Sequence, residues 1–214
     1  MKNIILFGFS LILISCSNSG IYRELIQALD LVFTSPKDLP QEAFAEIPYS
    51  TIQVRLGRSD NTVLVLEEIN NNSYKWTSSN LIKIYTENRL ITKVSGLEVD
   101  IDSIEYDDNH PSITKNYKNI DSEIYTSEYN FKNPNLFNLP IKTKFTFLKM
   151  DEVSIFGKDI KCMLFVEESL GNLIRWEFKN FYWVDLESNE IIKIIQNVNP
   201  KLPEIHIKMI NIMD

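Results

Sequence analysis

From Pro48 onward, apolar residues recur at every second position or in short runs, and polar clusters interrupt them. "YSTIQVRL" alternates. "TVLVLEEI" is apolar and then acidic, and "NNNS" ends it. "SNLIKIYT" alternates, turns at "ENR" and returns as "LITKVSGL", the pattern of a β-hairpin. The same reading predicts strands in "LEVDIDSIEY", "SEIYTSEYNF", "IKTKFTFLKM", "DIKCMLFVEE", "RWEFKNFYWVD", "NEIIKIIQ" and "EIHIKMI". Strands separated by short polar turns over most of a chain predict an all-β, mainly antiparallel fold, either a large β-barrel-like domain or an open sandwich. Before Pro48 the period differs. Ile21, Leu25, Leu29 and Val32 recur at helical spacing until Thr34-Ser35-Pro36, predicting one short N-terminal helix, and "PQEAFAEI" predicts a further helical turn. "DDNHPSITKNYKNID", at 107–121, has no regular period and reads as a long loop. Asn88 and Asn189 stand in hairpin turns, where asparagine tolerates positive φ better than other residues with a Cβ.

The start of the chain follows another logic. Lys2 precedes an apolar run from Ile4 to Ile14. A transmembrane helix needs about 20 apolar residues, so this run is too short to span and has the length of a signal-peptide core. It ends Leu13-Ile14-Ser15-Cys16, which resembles the bacterial lipobox. That resemblance implies a diacylglycerol on the Cys16 thiol, cleavage before Cys16 and acylation of the new amino group. Two or more acyl chains hold a protein stably where one does not. The expected organisation is a lipoprotein signal peptide at 1–15, a tether at 16–20 ("CSNSG") and a single β-barrel-like domain at 21–214. Ser17, rather than aspartate, follows the cysteine, which resembles the signal for an outer-membrane destination.

Composition narrows the partners. Loss of Lys2 with the leader takes the formal net charge from −7 to −8. A surface this acidic disfavours nucleic acid and anionic membrane surfaces. With Cys16 committed to lipid, Cys162 has no partner in the chain and is expected to be buried as a small hydrophobe.

Three segments carry a resemblance: "IPYSTIQVRL" at 47–56, "YKWTSSNLIKIYTENRLITKVSGL" at 74–97 and "FYWVDLESNEIIKIIQ" at 181–196. Together with the lipobox, in order and spacing, they are similar to the YjbF/GfcB family, the group 4 capsule polysaccharide lipoproteins. The resemblance runs over nearly the whole mature chain and is weakest between Glu98 and Phe137. It implies an outer-membrane lipoprotein facing the periplasm, a large antiparallel β-barrel-like fold, and an accessory role in exopolysaccharide or capsule production or export. The implied partners are the outer membrane, through the lipid on Cys16, and polysaccharide-export proteins or the polymer itself. No catalytic residue is carried over. Where the family usually has a turn glycine, Asn88 and Asn189 stand instead.

The candidate chemistry is sparse. Trp176, Phe178, Asn180 and Tyr182 share one face of a strand, and Glu177, Lys179, Phe181 and Trp183 the other. Aromatics of this kind either fill a barrel core or stack on sugar rings. Core filling is the expected role for most. Trp76, Tyr182 and Trp183 are the candidates for glycan or partner contact, with Trp76 the one expected at the surface. Glycoside hydrolysis needs two carboxylates about 5–9 Å apart. Glu67-Glu68 and Glu167-Glu168 each place one carboxylate per strand face, and only Asp100 and Asp102 share one. "DDNH" at 107–110 lacks the spacing of a calcium or zinc site and reads as a solvated loop. His206 alternates with Ile205 and Ile207 and is expected on the face opposite them. There is no glycine-rich phosphate loop and no Gly-x-Ser-x-Gly elbow. No cofactor, metal or catalytic residue is expected. The reading is a non-enzymatic accessory lipoprotein, with a periplasmic glycan- or lipid-binding carrier and a polysaccharide-modifying enzyme as the alternatives.

Overall fold

The computed structural model describes residues 38–45, 47–117, 120 and 122–211. Cys16, the tether and the helix expected between residues 20 and 36 lie outside the described residues. The helical turn expected in "PQEAFAEI" is present as α1 (Glu42–Ala45), and a second short helix, α2 (Pro111–Thr114), interrupts the irregular segment.

Apart from a 3-10 turn at Asn172–Ile174, the other regular elements are strands: β1 (Thr51–Leu56), β2 (Thr62–Asn70), β3 (Ser73–Thr77), β4 (Lys83–Glu87), β5 (Leu90–Ser95), β6 (Ile101–Glu105), β7 (Ser122–Phe131), β8 (Leu136–Ile155), β9 (Lys158–Gly171), β10 (Trp176–Asp185), β11 (Ile191–Gln196) and β12 (Ile205–Asn211). Each pairs antiparallel with its neighbour in sequence, and β1 pairs with β12, so the sheet closes on itself. Of the two all-β architectures expected, the barrel is the one formed. Closure leaves no exposed sheet edge to guard. β5 and β6 meet at a single register pair, Val94 and Ile101. The turn before β6 is tight: Gly96 has φ +87°, a Cβ there would lie 2.7 Å from the Leu81 carbonyl oxygen, and Asp100 accepts the Gly96 and Leu97 backbone N–H groups.

Alternation sorts each strand into an inner and an outer face. On β7 the inner side chains are Tyr125, Ser127, Tyr129 and Phe131, and on β8 Leu139, Ile141, Thr143 and Phe145. Facing outward and exposed are Lys142 and Lys144 on β8, Glu168 on β9, and Glu177 and Lys179 on β10. Barrels that cross a membrane show an apolar band to lipid and a polar lumen. This barrel has the opposite polarity, with aromatics inside and ion pairs such as Lys179–Glu168 outside.

A second apolar cluster sits on the outer surface of β8 to β11, where β8 and β9 run on past the start of β7. It holds Val153, Cys162, Leu164, Trp183 and Ile192. Cys162 is buried as expected, though here and not among the inner side chains. Its thiol donates to the Ile160 carbonyl, and burial pushes its pKa up to about 11. Residues 38–44 lie on the outer side too. Asp38 accepts from Gln53 and Lys208, and Phe44 packs against Phe156 in the β8–β9 turn.

Candidate functional site

Two clusters of polar side chains stand out, one inside the barrel and one at its rim. The inner cluster is built on β9 and β10. Phe165, Glu167 and Ser169 alternate on the inner face of β9, so Glu167 points into the core and is 1% exposed. Its register partner Asn180 donates to Oε2 at 2.8 Å, and the Tyr182 hydroxyl donates to the same oxygen. His110 reaches the other side, with Nε2 3.8 Å from Oε1, too long for a hydrogen bond. The His110 Nδ1 accepts the Ser112 backbone N–H, which puts the ring proton on Nε2, toward Glu167. Burial pushes the Glu167 carboxyl upward, but His110, Tyr182 and Asn180 together outweigh it and hold the pKa below its ordinary value. Tyr106, Tyr129 and Gln196 continue the layer, and burial raises both of those phenols far above theirs.

His110 corrects the reading of 107–110 as a solvated loop. Asp108 and Asn109 are exposed, but His110 is fully buried among Tyr106, Tyr125, Phe145 and Tyr182, and Tyr117 packs on Phe165. The segment turns inward at His110 and Tyr117, whose rings pack on aromatics of β7 to β10. Periodicity carries no signal for this, since the described residues of the segment form no strand.

The rim cluster lies at the barrel end that carries the β2–β3, β4–β5 and β10–β11 turns. A pocket of about 220 Å³ opens there, lined by Tyr74, Trp76, Asn88, Arg89, Lys115 and Glu190 among others. Tyr74 and Trp76 project from β3 with ring planes 14° apart. Trp76 was expected at the surface. It is 2% exposed and points inward, with its indole N–H donating to Thr86 Oγ1 at 2.9 Å, and it reaches the pocket from within the core. Tyr74, half-buried, supplies the more accessible ring.

The charged groups come from three turns. Asn88 and Arg89 are the two central residues of the β4–β5 hairpin, since Glu87 pairs with Leu90. Both have positive φ, +48° and +66°, as a two-residue hairpin turn requires. Asn189 has φ +58°, so both asparagines adopt the expected conformation. Glycine is the usual second residue of such a turn, and a side chain with positive φ costs about 1–2 kcal/mol. Arg89 occupies that position here, and Lys115, after α2, has φ +53°. Arg89 Nη1 donates to the Ile191 carbonyl at 2.7 Å, and its Nε lies 3.4 Å from Glu190 Oε2. The Lys115 ammonium pairs with Glu190 Oε1, and Asn189 Nδ2 donates to the Lys115 carbonyl at 2.8 Å. Two cations thus share one carboxylate. Periodicity does not mark Arg89. The Asn-Arg dipeptide in a two-residue loop is the signal that could have.

The remaining candidates are placed apart. Tyr182 has no exposed surface and is bound to Glu167, so it is a core residue and not a contact for glycan or partner. Trp183 is 8% exposed on the outer cluster, with its indole N–H donating to Asp151 Oδ2 and Lys193 Nζ 4.2 Å from its ring centroid. Glu167 and Glu168 face opposite sides of the sheet, as alternation requires. Glu67 and Glu68 do not. A bulge between Leu66 and Glu68 brings both within reach of Lys75, at 2.8 and 3.7 Å. Asp100 caps the turn before β6 while Asp102 pairs with Lys93 and Lys132, so they form no carboxylate pair. His206 lies opposite the buried Ile205 and Ile207. Its Nδ1 accepts from Arg55, its Nε2 faces Glu204, and burial, with Arg55 beside it, lowers its pKa. Among the described residues no group of three or more histidine, cysteine, aspartate or glutamate side chains could hold a metal ion.

Comparison with known proteins gives a consistent picture. Residues 22–210 match the family described as group 4 capsule polysaccharide lipoprotein gfcB, YjbF. The chain is 22% identical over 195 residues to the uncharacterized lipoprotein GfcB of Escherichia coli (strain K12), covering 89% of each. The crystal structure of the hypothetical lipoprotein YmcC from Escherichia coli (K12) superposes with a TM-score of 0.70 at 16% identity, covering 93% of this chain and 98% of that one. That likeness establishes the shared barrel.

Proposed function

The chain belongs to the group 4 capsule polysaccharide lipoprotein family, and from that premise we propose that it is a non-enzymatic accessory factor in capsule or exopolysaccharide production or export. Lipid on Cys16 holds it at the periplasmic face of the outer membrane, where it docks on export proteins or on the polymer. The observation that carries this reading is the family match, which extends from residue 22 to 210 and so includes nearly every strand of the barrel. The outer face supports an anchor supplied from elsewhere, because exposed lysines and glutamates on β8 to β10 interrupt it and its apolar cluster is confined to β8–β11.

The filled interior weighs against a lipid carrier. Pockets for drug-sized ligands run from about 300 to 1,000 Å³. The rim pocket is smaller, and an open groove of about 340 Å³ along β9 and β10 is lined by the charged Glu168, Glu177 and Lys179 as well as by Ser169 and Phe178. The Glu167–His110 pair, the nearest thing to an acid–base couple, is buried among Phe145, Tyr182 and Asn180.

The test is deletion of the gene in its own bacterium, with surface and secreted polysaccharide measured for amount and chain length. Loss or shortening, restored by the wild-type gene and not by Cys16→Ala, is the expected result. Unchanged polymer would sink the proposal.

A further inference from the structure

We propose that the rim pocket binds one acidic monosaccharide unit, a pyranose bearing a carboxylate, as presented by an acidic polysaccharide. The choice of a saccharide rests on the capsule-related reading above. The site itself rests on size, wall and charge. A volume of about 220 Å³ suits a single ring, and is below the range of pockets for larger ligands. Tyr74, backed by the buried Trp76, gives a firm aromatic wall against which the C–H face of a pyranose packs. Across from it, Arg89 and Lys115 outnumber Glu190, so the pocket is locally cationic on a chain of net charge −7. A guanidinium fork is well matched to a carboxylate, and an ammonium adds a point charge.

The backbone makes the same point independently. Among the described residues nine non-glycine residues have positive φ, and four of them, Asn88, Arg89, Lys115 and Asn189, lie at or beside this pocket. A hairpin turn alone is better served by glycine at position 89. An arginine there bears a conformational cost that the turn does not require, and such outliers cluster where a ligand is gripped. Glu190 fits the scheme as a placeholder. It keeps the two cations oriented, and an incoming carboxylate competes for them.

The test is saturation-transfer NMR on the full lipidated chain in detergent micelles, with glucuronate, glucose and acetate as probes. The expected result is transfer to the ring protons of glucuronate, with glucose and acetate each bound at least tenfold more weakly. Arg89→Gly and Lys115→Gln each weaken glucuronate at least tenfold. Glu190→Gln tightens it at least threefold, an effect a purely structural ion pair would not produce. Glycine is at home in the turn, so Arg89→Gly should keep the wild-type circular dichroism spectrum. If it does not, Lys115→Gln and Glu190→Gln decide. No transfer to glucuronate, equal binding of glucose or acetate, or an affinity indifferent to the substitutions overturns the proposal. A deletion strain that loses polymer while glucuronate fails to bind would sink the site and leave the capsule role standing.

Discussion

Glu167 and Glu190 both face cationic or protonatable partners on one barrel, and their surroundings make them opposites. Glu167 is enclosed, with Tyr182 and Asn180 on one oxygen and His110 facing the other. Glu190 is about a quarter exposed and is shared between Arg89 and Lys115 at the rim. In the core, removing one member strands the others away from water, which is strongly destabilising. At the rim, water takes the vacated place, and an exposed pair contributes about 0–1 kcal/mol. The same chemistry therefore holds the fold in one place and is free to serve a ligand in the other.

The largest effect that tests this contrast is Glu167→Ala. It should cost about 3–5 kcal/mol in urea unfolding, because Tyr182, Asn180 and His110 lose their common partner. A cost below about 1 kcal/mol would place Glu167 among the rim-like groups. Acid gives the next test. The Glu167 carboxyl is held below its ordinary 4.5, so the unfolded chain binds the proton more readily. Its contribution is complete above pH of about 4.5 and falls as pH drops toward the folded-state pKa. Glu167→Gln should flatten the stability profile below pH of about 4.5, and an unchanged slope there would assign the acid sensitivity to other carboxylates. Arg89→Gly should change stability least, by under about 1 kcal/mol. The lost hydrogen bond to the Ile191 carbonyl, about 1 kcal/mol, is offset by relief at φ +66°. A loss above about 2 kcal/mol would make Arg89 a structural tie between two turns and weaken its standing as a ligand group.

Most of the barrel was legible as alternation. Ile205 and Ile207 read as one face with His206 on the other, and the "ENR" and "ESNE" turns announced their hairpins with the asparagines that now hold positive φ. Less legible was what depends on the third dimension. "FYWVD" shows apolar residues on both faces, but only the extension of β8 and β9 past β7 explains why Trp183 finds an outer cluster. Trp76 sits between lysine and threonine, which suggested the surface, yet strand phase alone puts it inside beside Thr86. His110 was illegible for the opposite reason. It lies in a segment without a period, and its partners come from β7, β8 and β10, distant in sequence and adjacent only once the barrel closes. Glu167 carried a usable signal, a carboxylate in phase with Phe165, that marks a buried charge in need of partners.

The seam between β1 and β12 has a consequence for how the chain acquires its shape. Its register runs from Thr51 against Asn211 to Leu56 against Ile205, joining the first and last strands of the barrel. Hairpins such as β4–β5 can form as soon as they are synthesised, but this pairing must wait for the final strand. Pairings so remote in sequence are slow, although the entropy of closing a loop grows by only about 0.6 kcal/mol for each doubling of its length. Until then the nascent meander has two raw edges, each complementary to the other edge of any neighbouring copy. Closing the ring is thus the step in which a chain must choose itself over its neighbours, and crowding during biogenesis works against that choice.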